Sequence, residues 1–408
     1  MNKRVLYLSY DGMTDPLGQS QVIPYLGGLS AKGHQIWLIS AEKNDAFVQH
    51  QQKISALLQQ HNIHWFPIPY TKKPPILSTV IDIIRLRRKA KMLVKKNNIE
   101  LVHCRSYITA FVGLHLKKKG IHFIFDMRGF WADERVDGNL WNLNHPIYRL
   151  VYRFFKRRER QFLTSADAVV SLTENAKKEM LQWNIPGLIP DKIYVIPCCA
   201  DLDFFNYNQI ENTISKKWRN KLNISPEIFV LSYLGSVGTW YLAEEMLAFY
   251  KELLTQKPES CFLFITKDSP DAIQHLASQQ GIPLEKIRIQ PAEREQVPEL
   301  LTISNASIFF IKPAYSKKAS SPTKLAELMG LGIPIIANSG VGDVESIILQ
   351  NPLGILIHEF NSPAYGFALK ELEQLHTTEK HKTRQLACEY FSLDRGIAIF
   401  DSIYQKLL

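Results

Sequence analysis

Residues Ser320 to Glu327, with the sequence SSPTKLAE, combine a helix start, a lysine and a carboxylate in one short segment. Ser320 or Ser321 can cap a helix, and Pro322 suits its first turn, where a missing N–H costs little. The free amides and positive dipole end of such a helix bind anions, and Lys324 adds a full charge. Glu327 can accept hydrogen bonds from two sugar hydroxyls. The alternative is a capped helix whose lysine and glutamate are solvated.

A second candidate anion site lies between Ser9 and Gln21, where a strand-like run enters a loop with two glycines. Glycine permits close backbone approach to a phosphate, and a helix that starts near Ser20 would supply amides. Gly18 and Gln19 are the candidate contacts. The spacing differs from the G-x-G-x-x-G pattern of a dinucleotide site.

His103 and Arg105 stand at the carboxyl end of a strand-like run that begins at Leu101. The planar fork of Arg105 can neutralise a phosphate, but an arginine cannot act as a base at neutral pH. For His103 two interpretations stay open, a catalytic residue and an ordinary packed histidine at a strand end.

The segment from Phe125 to Arg135 crowds charges and aromatic residues into a loop that follows a strand, where binding residues collect. Arg128, Asp133 and Glu134 can bind acceptor hydroxyls or assist proton transfer. Trp131 can stack on the face of a sugar. A salt-bridged structural loop is the alternative.

Short β-rich runs alternate with helical segments along the chain, which predicts parallel sheets covered on both faces. The alternation restarts after a polar stretch from Asn206 to Asn220, so we predict two doubly wound units. We place the first in residues 1–207 and the second in residues 208–392, with a helix over 393–408 that packs back on the first. Ligands of such sheets lie beyond the carboxyl ends of the strands. The predicted strands are Val5–Tyr10, Ile36–Ser40, His64–Ile68, Leu101–His103, Phe123–Asp126, Val169–Thr173, Tyr194–Pro197, Phe229–Leu234, Cys261–Thr266, Ile287–Gln290, Ala306–Ile311 and Ile333–Ala337.

The composition is typical of a globular protein with a basic surface: 408 residues, 46% hydrophobic, 22% charged, with a net charge of +10. No apolar run approaches the roughly 20 residues that cross a bilayer, and no signal-peptide pattern is visible, so we expect a cytoplasmic location. The five cysteines show neither metal-ligand spacing nor a disulfide framework. The charge favours an anionic partner, and nucleic acid, an acidic membrane or phosphorylated small molecules stay open beside a merely solubilising surface.

Two segments concentrate the positive charge: Arg85–Lys96 holds seven Lys or Arg residues and Arg149–Arg160 holds six. Both show helical apolar spacing. Because basic amphipathic helices lie on anionic lipid, one interpretation is peripheral association with the inner leaflet of the plasma membrane. The other is a pair of solvated helix faces.

The segment from Ile311 to Asn338 resembles the signature region of the retaining glycosyltransferases of family 4. In that family a Glu-x7-Glu motif precedes an apolar helix and a G-x-P-x-I strand. The second glutamate, which holds the donor ribose, maps onto Glu327. The first falls on Ala319, so this chain is similar to the family's S-x-P-x-K-L-x-E variants. Asp167–Thr173 and Val195–Pro197 resemble further stretches of the family.

The resemblance implies the GT-B architecture, two facing Rossmann-like domains with an interdomain cleft. It also implies that the loop after Leu234 contacts the donor, with Ser236 in place of the family's arginine and with other lysines as replacement cations. The implied donor-binding residues are Gly18, Gln19, Gly235, Ser236, Lys267, Lys312, Ser321, Pro322, Thr323, Lys324 and Glu327. The implied catalytic residues are His103, Arg105 and Arg128, and the implied acceptor-binding residues are Trp131, Asp133 and Glu134.

The implied reaction moves a sugar from a UDP-, GDP- or ADP-linked donor to a glycan or lipid-linked acceptor with retention of configuration, in cell-surface polysaccharide or glycoconjugate synthesis. No carboxylate pair suits a covalent intermediate, so the leaving phosphate would accept the acceptor's proton. No D-x-D motif is present, and we predict neither a metal nor a cofactor besides the nucleotide sugar. The alternatives are a nucleotide-sugar epimerase of the same architecture, which would need a cluster of acids, and a basic nucleic-acid- or membrane-binding protein without catalysis. No nucleic-acid reading module is visible, so we expect no nucleic-acid partner.

Overall fold

The computed structural model describes residues 3–74, 76–351, 353–375 and 380–408. Contacts divide the chain into two units, Met1–Cys199 with Leu393–Leu408, and Ala200–Ser392. The second unit therefore begins at Ala200 and not at residue 208 as we predicted. The reason is that Leu202 and Phe205 are buried in the core of the second unit.

The first unit is built on a seven-stranded parallel sheet in the order β3-β2-β1-β4-β5-β6-β7. Its central strands are apolar and buried on both faces, because helices cover the sheet on each side. The strands are β1 (Arg4–Ser9), β2 (Gln35–Glu42), β3 (Ile63–Pro69), β4 (Leu101–Arg105), β5 (His122–Asp126), β6 (Ala168–Ser171) and β7 (Ile193–Val195). The helices are α1 (Pro16–Gln21), α2 (Ile23–Ala31), α3 (Asn44–Gln60), α4 (Leu77–Asn97), α5 (Ser106–Lys117), α6 (Trp131–Asp137), α7 (Pro146–Ser165) and α8 (Glu174–Gln182).

The second unit repeats this plan on a six-stranded parallel sheet in the order β10-β9-β8-β11-β12-β13. The strands are β8 (Val230–Leu234), β9 (Cys261–Ile265), β10 (Ile287–Gln290), β11 (Ala306–Phe309), β12 (Ile335–Asn338) and β13 (Gly354–Ile357). The helices are α9 (Asn212–Lys221), α10 (Ala243–Gln256), α11 (Pro270–Gln279), α12 (Val297–Leu301), α13 (Thr323–Gly330), α14 (Val344–Gln350), α15 (Ser362–Gln374) and α16 (Lys380–Phe391). The chain ends in α17 (Leu393–Leu407), which groups with the first unit.

Each predicted strand coincides with an observed one to within two residues at either end. The predicted fold class of doubly wound parallel sheets is therefore confirmed. Strand β13 was not predicted. It is short and lies at the edge of its sheet, so its four residues pair with one neighbour only and leave little pattern in the sequence.

Helix α17 packs against α2 through close contacts that need glycine. A methyl group on Gly28 would approach the Ile397 side chain to 2.1 Å, so the two helices meet only because Gly28 lacks one. His34 holds Asp401 of α17 at 2.8 Å, and Tyr404 of the same helix is buried. This packing encloses part of the candidate site in the first unit.

Candidate functional site

Helix α13 carries the two ionisable residues that the sequence singled out in the second unit. Its N-cap is Pro322, which offers no capping side-chain hydrogen bond, so the prediction of a serine cap was wrong. Lys324 and Glu327 are each 7% exposed. The alternative of a helix with a solvated lysine and glutamate is therefore wrong as well, and both charges are held in the interior.

The ammonium group of Lys324 is surrounded by aromatic rings. Its Nζ lies 4.3 Å from the ring centre of Tyr233 and 3.7 Å from that of Tyr241, and it donates a 3.3 Å hydrogen bond to Tyr233 Oη. No carboxylate of the described residues lies within salt-bridge distance of it. Burial lowers the pKa of Lys324 to about 7, and Glu327 acts weakly in the opposite direction. The rings favour the charged form through their quadrupoles.

The loop after β8 lies directly against this lysine. Gly235 has a φ of 116°, a backbone conformation that is strained for a residue with a side chain. A Cβ at this position would lie 3.2 Å from Lys324 Nζ. The Tyr233 hydroxyl donates to the Ser236 carbonyl, and the Val237 amide donates to Asp268. Lys324 thus provides a cation at the position of the loop where Ser236 replaces the arginine that the resemblance implied.

Glu327 pairs with a residue that sequence reasoning missed. Its Oε1 lies 3.3 Å from Arg294, whose guanidinium also packs over the rings of Phe204 and Phe205 at 5.7 Å and 5.4 Å. Burial raises the pKa of Glu327, and Arg294 only partly offsets it. Arg294 belongs to a short turn before α12 with no motif around it, so no sequence signal could have found it.

The side chains of the other two predicted cations are exposed. Lys267 is exposed and pairs with Glu293 at 2.7 Å. Lys312 is exposed, and its recorded contact is a backbone hydrogen bond to Trp240. Among the three predicted lysines, Lys324 is the one whose side-chain ammonium contacts the loop after β8 in the described residues.

In the first unit the register of β4 and β5 sets Arg105 beside Asp126. Arg105 Nε lies 3.2 Å from Asp11 and its NH1 lies 3.9 Å from Asp126. Burial acts to raise the pKa of Asp126, but Arg128, His103 and Arg105 outweigh it and hold the pKa below its usual range. The sheet thus buries an ionised carboxylate between two arginines and a histidine.

Arg128 takes the left-handed conformation, with a φ of 57°, which costs a non-glycine residue about 1–3 kcal/mol. This bend turns its guanidinium toward Cys198, to whose sulfur it donates a 3.3 Å hydrogen bond. Strain of this kind is common at functional sites.

His103 lies within the sheet, beside Tyr7 of β1, and is 1% exposed. Its Nδ1 is 2.7 Å from the Tyr404 hydroxyl and its Nε2 is 3.7 Å from Asp126 Oδ2. Burial lowers the pKa of His103 below 6.5, although Asp126 opposes it. These contacts support the packed-histidine interpretation over a direct catalytic role.

Known proteins resemble this chain in sequence and in fold. The family model described as Glycosyltransferase Family 4 matches residues 22–204. D-inositol 3-phosphate glycosyltransferase of Rhodococcus jostii (strain RHA1) is 25% identical over 223 residues, which are 52% of this chain and 46% of that protein. The first half of the chain thus matches glycosyltransferase family 4, and these matches support glycosyltransferase activity.

Solved structures match this chain over its whole length. A glycosyltransferase from Rickettsia africae ESF-5 has a TM-score of 0.73 at 15% identity and covers 100% of this chain and 99% of its own. Anabaena HepE in complex with UDP-glucose has a TM-score of 0.66 at 12% identity and covers 99% and 100%. At these identities the likeness shows the fold, which is GT-B.

A side chain from the neighbouring strand β2 occupies the N-terminal loop. Glu42 accepts hydrogen bonds from the amides of Met13 and Thr14, at 2.8 Å and 3.1 Å, so the described loop does not present these two amides to a ligand.

Gly18 lies within α1, where a Cβ would approach the Gly12 carbonyl to 2.2 Å. Helix α1 begins at Pro16, ahead of the predicted start near Ser20. Gln19 donates to the Thr14 carbonyl.

The predicted acceptor residues of α6 are engaged within the first unit. Asp133 is buried and bonds to Lys156 at 2.9 Å and to the Tyr152 hydroxyl at 2.7 Å. Trp131 packs among aromatic rings, with Phe155 at 4.8 Å and Trp141 at 5.4 Å. For these two residues the geometry favours the salt-bridged structural loop. Glu134 is half-buried on the same helix.

In the part of the chain that the structure describes, no helix is long and apolar enough to cross a membrane. In the described ranges, no group of three or more His, Cys, Asp or Glu side chains is arranged to hold a metal ion.

Proposed function

We propose that this protein is a retaining glycosyltransferase that moves a sugar from a nucleotide diphosphate to a glycan or lipid-linked acceptor, in cell-surface polysaccharide or glycoconjugate synthesis. The observation that carries the proposal is the position of Lys324 and Glu327. Both are buried on one helix, with Lys324 against the Gly235 loop at the carboxyl end of β8. Ligands of doubly wound sheets bind at such strand ends.

The arrangement suits a nucleoside diphosphate in particular. Lys324 and the free amides at the start of α13 would stabilise negative charge on the leaving diphosphate. Glu327 would accept hydrogen bonds from the two ribose hydroxyls. The complex of Anabaena HepE with UDP-glucose supports this class of donor through a protein of the same fold.

Calorimetric titration with UDP, GDP and ADP and with their sugars tests the donor site. We expect one nucleotide to bind, and Lys324→Ala to weaken the diphosphate more than the nucleoside. Lys251→Ala removes an exposed lysine of α10 in the same unit and is the matched control. Equal loss for diphosphate and nucleoside in Lys324→Ala would contradict the assignment of this lysine to the phosphates.

Turnover separates a transferase from an epimerase of the same fold. An epimerase would need several free acids, and Asp133, one of the two candidates, is tied to Lys156 and Tyr152. We therefore expect sugar transfer when an acceptor is present and no isomerised nucleotide sugar in its absence. Isomerisation of the donor without any acceptor would establish the epimerase instead.

We further propose that the first unit docks on anionic lipid through α7, which would bring the enzyme to a lipid-linked acceptor. Helix α7 exposes Ile147, Leu150 and Phe154 on one stripe, and the Leu150 side chain is 70% exposed. Arg149 and Arg153 are exposed beside them. An apolar stripe flanked by arginines is typical of a helix that lies in the membrane interface.

Helix α4 shows the same combination. The side chains of Leu77, Val80 and Ile84 on this helix are exposed. Arg85 and Arg88 are exposed on the same helix. Each basic residue near an anionic surface contributes on the order of 1 kcal/mol, and salt screens the attraction.

Flotation with vesicles tests this docking. We expect binding to vesicles that contain phosphatidylglycerol, release at high salt, and weak binding to neutral vesicles. The change Leu150→Glu should reduce binding, and Lys251→Glu in the second unit is the control. No binding to any vesicle would return α4 and α7 to solvated helix faces and favour a soluble acceptor.

A further inference from the structure

Three buried polar atoms of the first unit have no hydrogen-bond partner among the described residues, and their side chains line the same small cavity. They are Gln21 Oε1, His103 Nε2 and Asp126 Oδ1. The three side chains are 3%, 1% and 1% exposed. Buried polar atoms are rarely left without a partner, so three around one cavity indicate that they share one.

The remaining contacts of each side chain determine whether its cavity-facing atom donates or accepts a hydrogen bond. The Gln21 amide nitrogen donates to the Cys199 carbonyl at 3.1 Å, which leaves its oxygen, an acceptor, facing the cavity. Asp126 is an ionised acceptor, because neighbouring cations hold its pKa low.

His103 offers a donor. Burial raises the pKa of Tyr404 well above 10, so its hydroxyl keeps its proton, and its recorded hydrogen bond is to His103 Nδ1. We assign that proton to the bond with Nδ1, which then accepts. Because burial also keeps His103 neutral, its one ring proton belongs to Nε2, which faces the cavity.

We propose that one water molecule occupies this cavity, accepting from His103 Nε2–H and donating to Gln21 Oε1 and Asp126 Oδ1. Two acceptors and one donor match what a single water molecule offers. The cavity volume of about 10 Å³ is close to the minimum that one water needs, and too small for a phosphate or a sugar.

This water makes His103 a positioning residue. A chain of hydrogen bonds runs from Tyr404 in α17 through His103 and the water to Asp126, and Asp126 faces Arg105 and is held ionised by Arg128. The inference concerns the first unit alone and does not depend on the identity of the donor.

Two measurements test the site on the full-length protein. A crystal structure should show a water peak within hydrogen-bond distance of all three atoms, and the ¹⁵N spectrum should show His103 as the Nε2–H tautomer. A cavity without a water peak, or a direct bond between His103 Nε2 and Asp126, would overturn the proposal. An Nδ1–H tautomer would overturn it as well, because the donor to the water would be missing.

Variants separate the water site from simple packing. Gln21→Met keeps the length of the side chain but removes both the acceptor for the water and the donor to the Cys199 carbonyl. We expect the melting temperature to fall by roughly 4–8 °C, as for the loss of two hydrogen bonds in a unit of this size. Tyr404→Phe should leave Nδ1 without its donor and change the ¹⁵N shift of that nitrogen. An unchanged shift in Tyr404→Phe would contradict the chain. Gln182→Met, which lies in α8 away from the cavity, is the matched control.

Discussion

Donor affinity should fall as the pH rises above 7, because the diphosphate requires the charged form of Lys324. Burial lowers the pKa of this lysine from its ordinary 10.5 to about 7 in the empty site. A bound diphosphate favours the ammonium and raises the pKa again. The lysine must therefore take up a proton on binding whenever the pH lies between the two values. The affinity is full below pH 7 and is lost progressively above it.

The magnitude follows from the charged fraction. With a pKa of about 7, roughly 90% of the lysine is charged near pH 6 and roughly 3% near pH 8.5, so the affinity for a nucleotide sugar should fall about 30-fold over this range. The rings of Tyr233, Tyr241 and Phe309 around Nζ favour the ammonium. They raise the pH at which half of the lysine is charged, and the affinity still falls as the pH rises.

Calorimetry across this range, in buffers of different ionisation enthalpy, measures both the affinity and the proton uptake. Lys324→Met should bind weakly at every pH and take up no proton at this site. The control Lys251→Ala should reproduce the pH dependence of the natural protein. An affinity that stays constant from about pH 6 to about pH 8.5, or that falls equally in Lys324→Met, would refute the reasoning.

Four further predictions follow from the same contacts. Lys324→Met should raise the melting temperature although it weakens donor binding, because it removes a buried amine that has no ion pair. Thermal unfolding of the ligand-free protein measures this change. Glu327→Ala should weaken nucleotide binding more than tenfold by calorimetry, and Arg294→Ala should weaken it less, with partial recovery in Arg294→Lys. Arg105→Lys should keep part of the turnover and Arg105→Ala should lose most of it, whereas full activity in Arg105→His would indicate the histidine role that is usual in the family. Asp133→Ala should cost about 3 kcal/mol of stability in denaturant unfolding and leave the acceptor KM unchanged, because it breaks a buried ion pair.

The fold could be predicted because its signal is local. Runs such as Val5–Leu8 and Phe262–Ile265 are apolar without alternation, as strands covered on both faces must be. The domain boundary was less accessible. The segment after Cys199 is polar and irregular, and only the packing of Leu202 and Phe205 assigns it to the second unit.

The site could be predicted in part, and the errors share a cause. Lys324 and Glu327 belong to one motif, so the sequence pointed to both. Their partners come from elsewhere in the unit, Tyr233 for the lysine and Arg294 for the glutamate. Partners that are so distant in the sequence form no residue spacing from which the contact could be predicted.

At the N-terminal loop, by contrast, the sequence suggested an anion site where the structure shows amides that are already hydrogen-bonded. Its glycines and helix start suggested a phosphate site, and nothing near it in sequence argued otherwise. Glu42, at the end of the neighbouring strand β2, accepts from the Met13 and Thr14 amides that a phosphate would have needed. A side chain from a neighbouring strand can therefore occupy the amides that a local motif would otherwise present to a ligand.

The arrangement on α13 itself argues for a ligand. Lys324 and Glu327 are three residues apart and so share one face of the helix, where opposite charges ordinarily pair. Here they do not pair: Lys324 bonds to Tyr233 and Glu327 to Arg294. Each charge is buried at a cost to stability, since burial lowers the pKa of Lys324 and raises that of Glu327. A stable protein gains nothing from two buried charges held apart, whereas a binding site gains a cation for phosphate and a carboxylate for hydroxyls, both fixed before the ligand arrives.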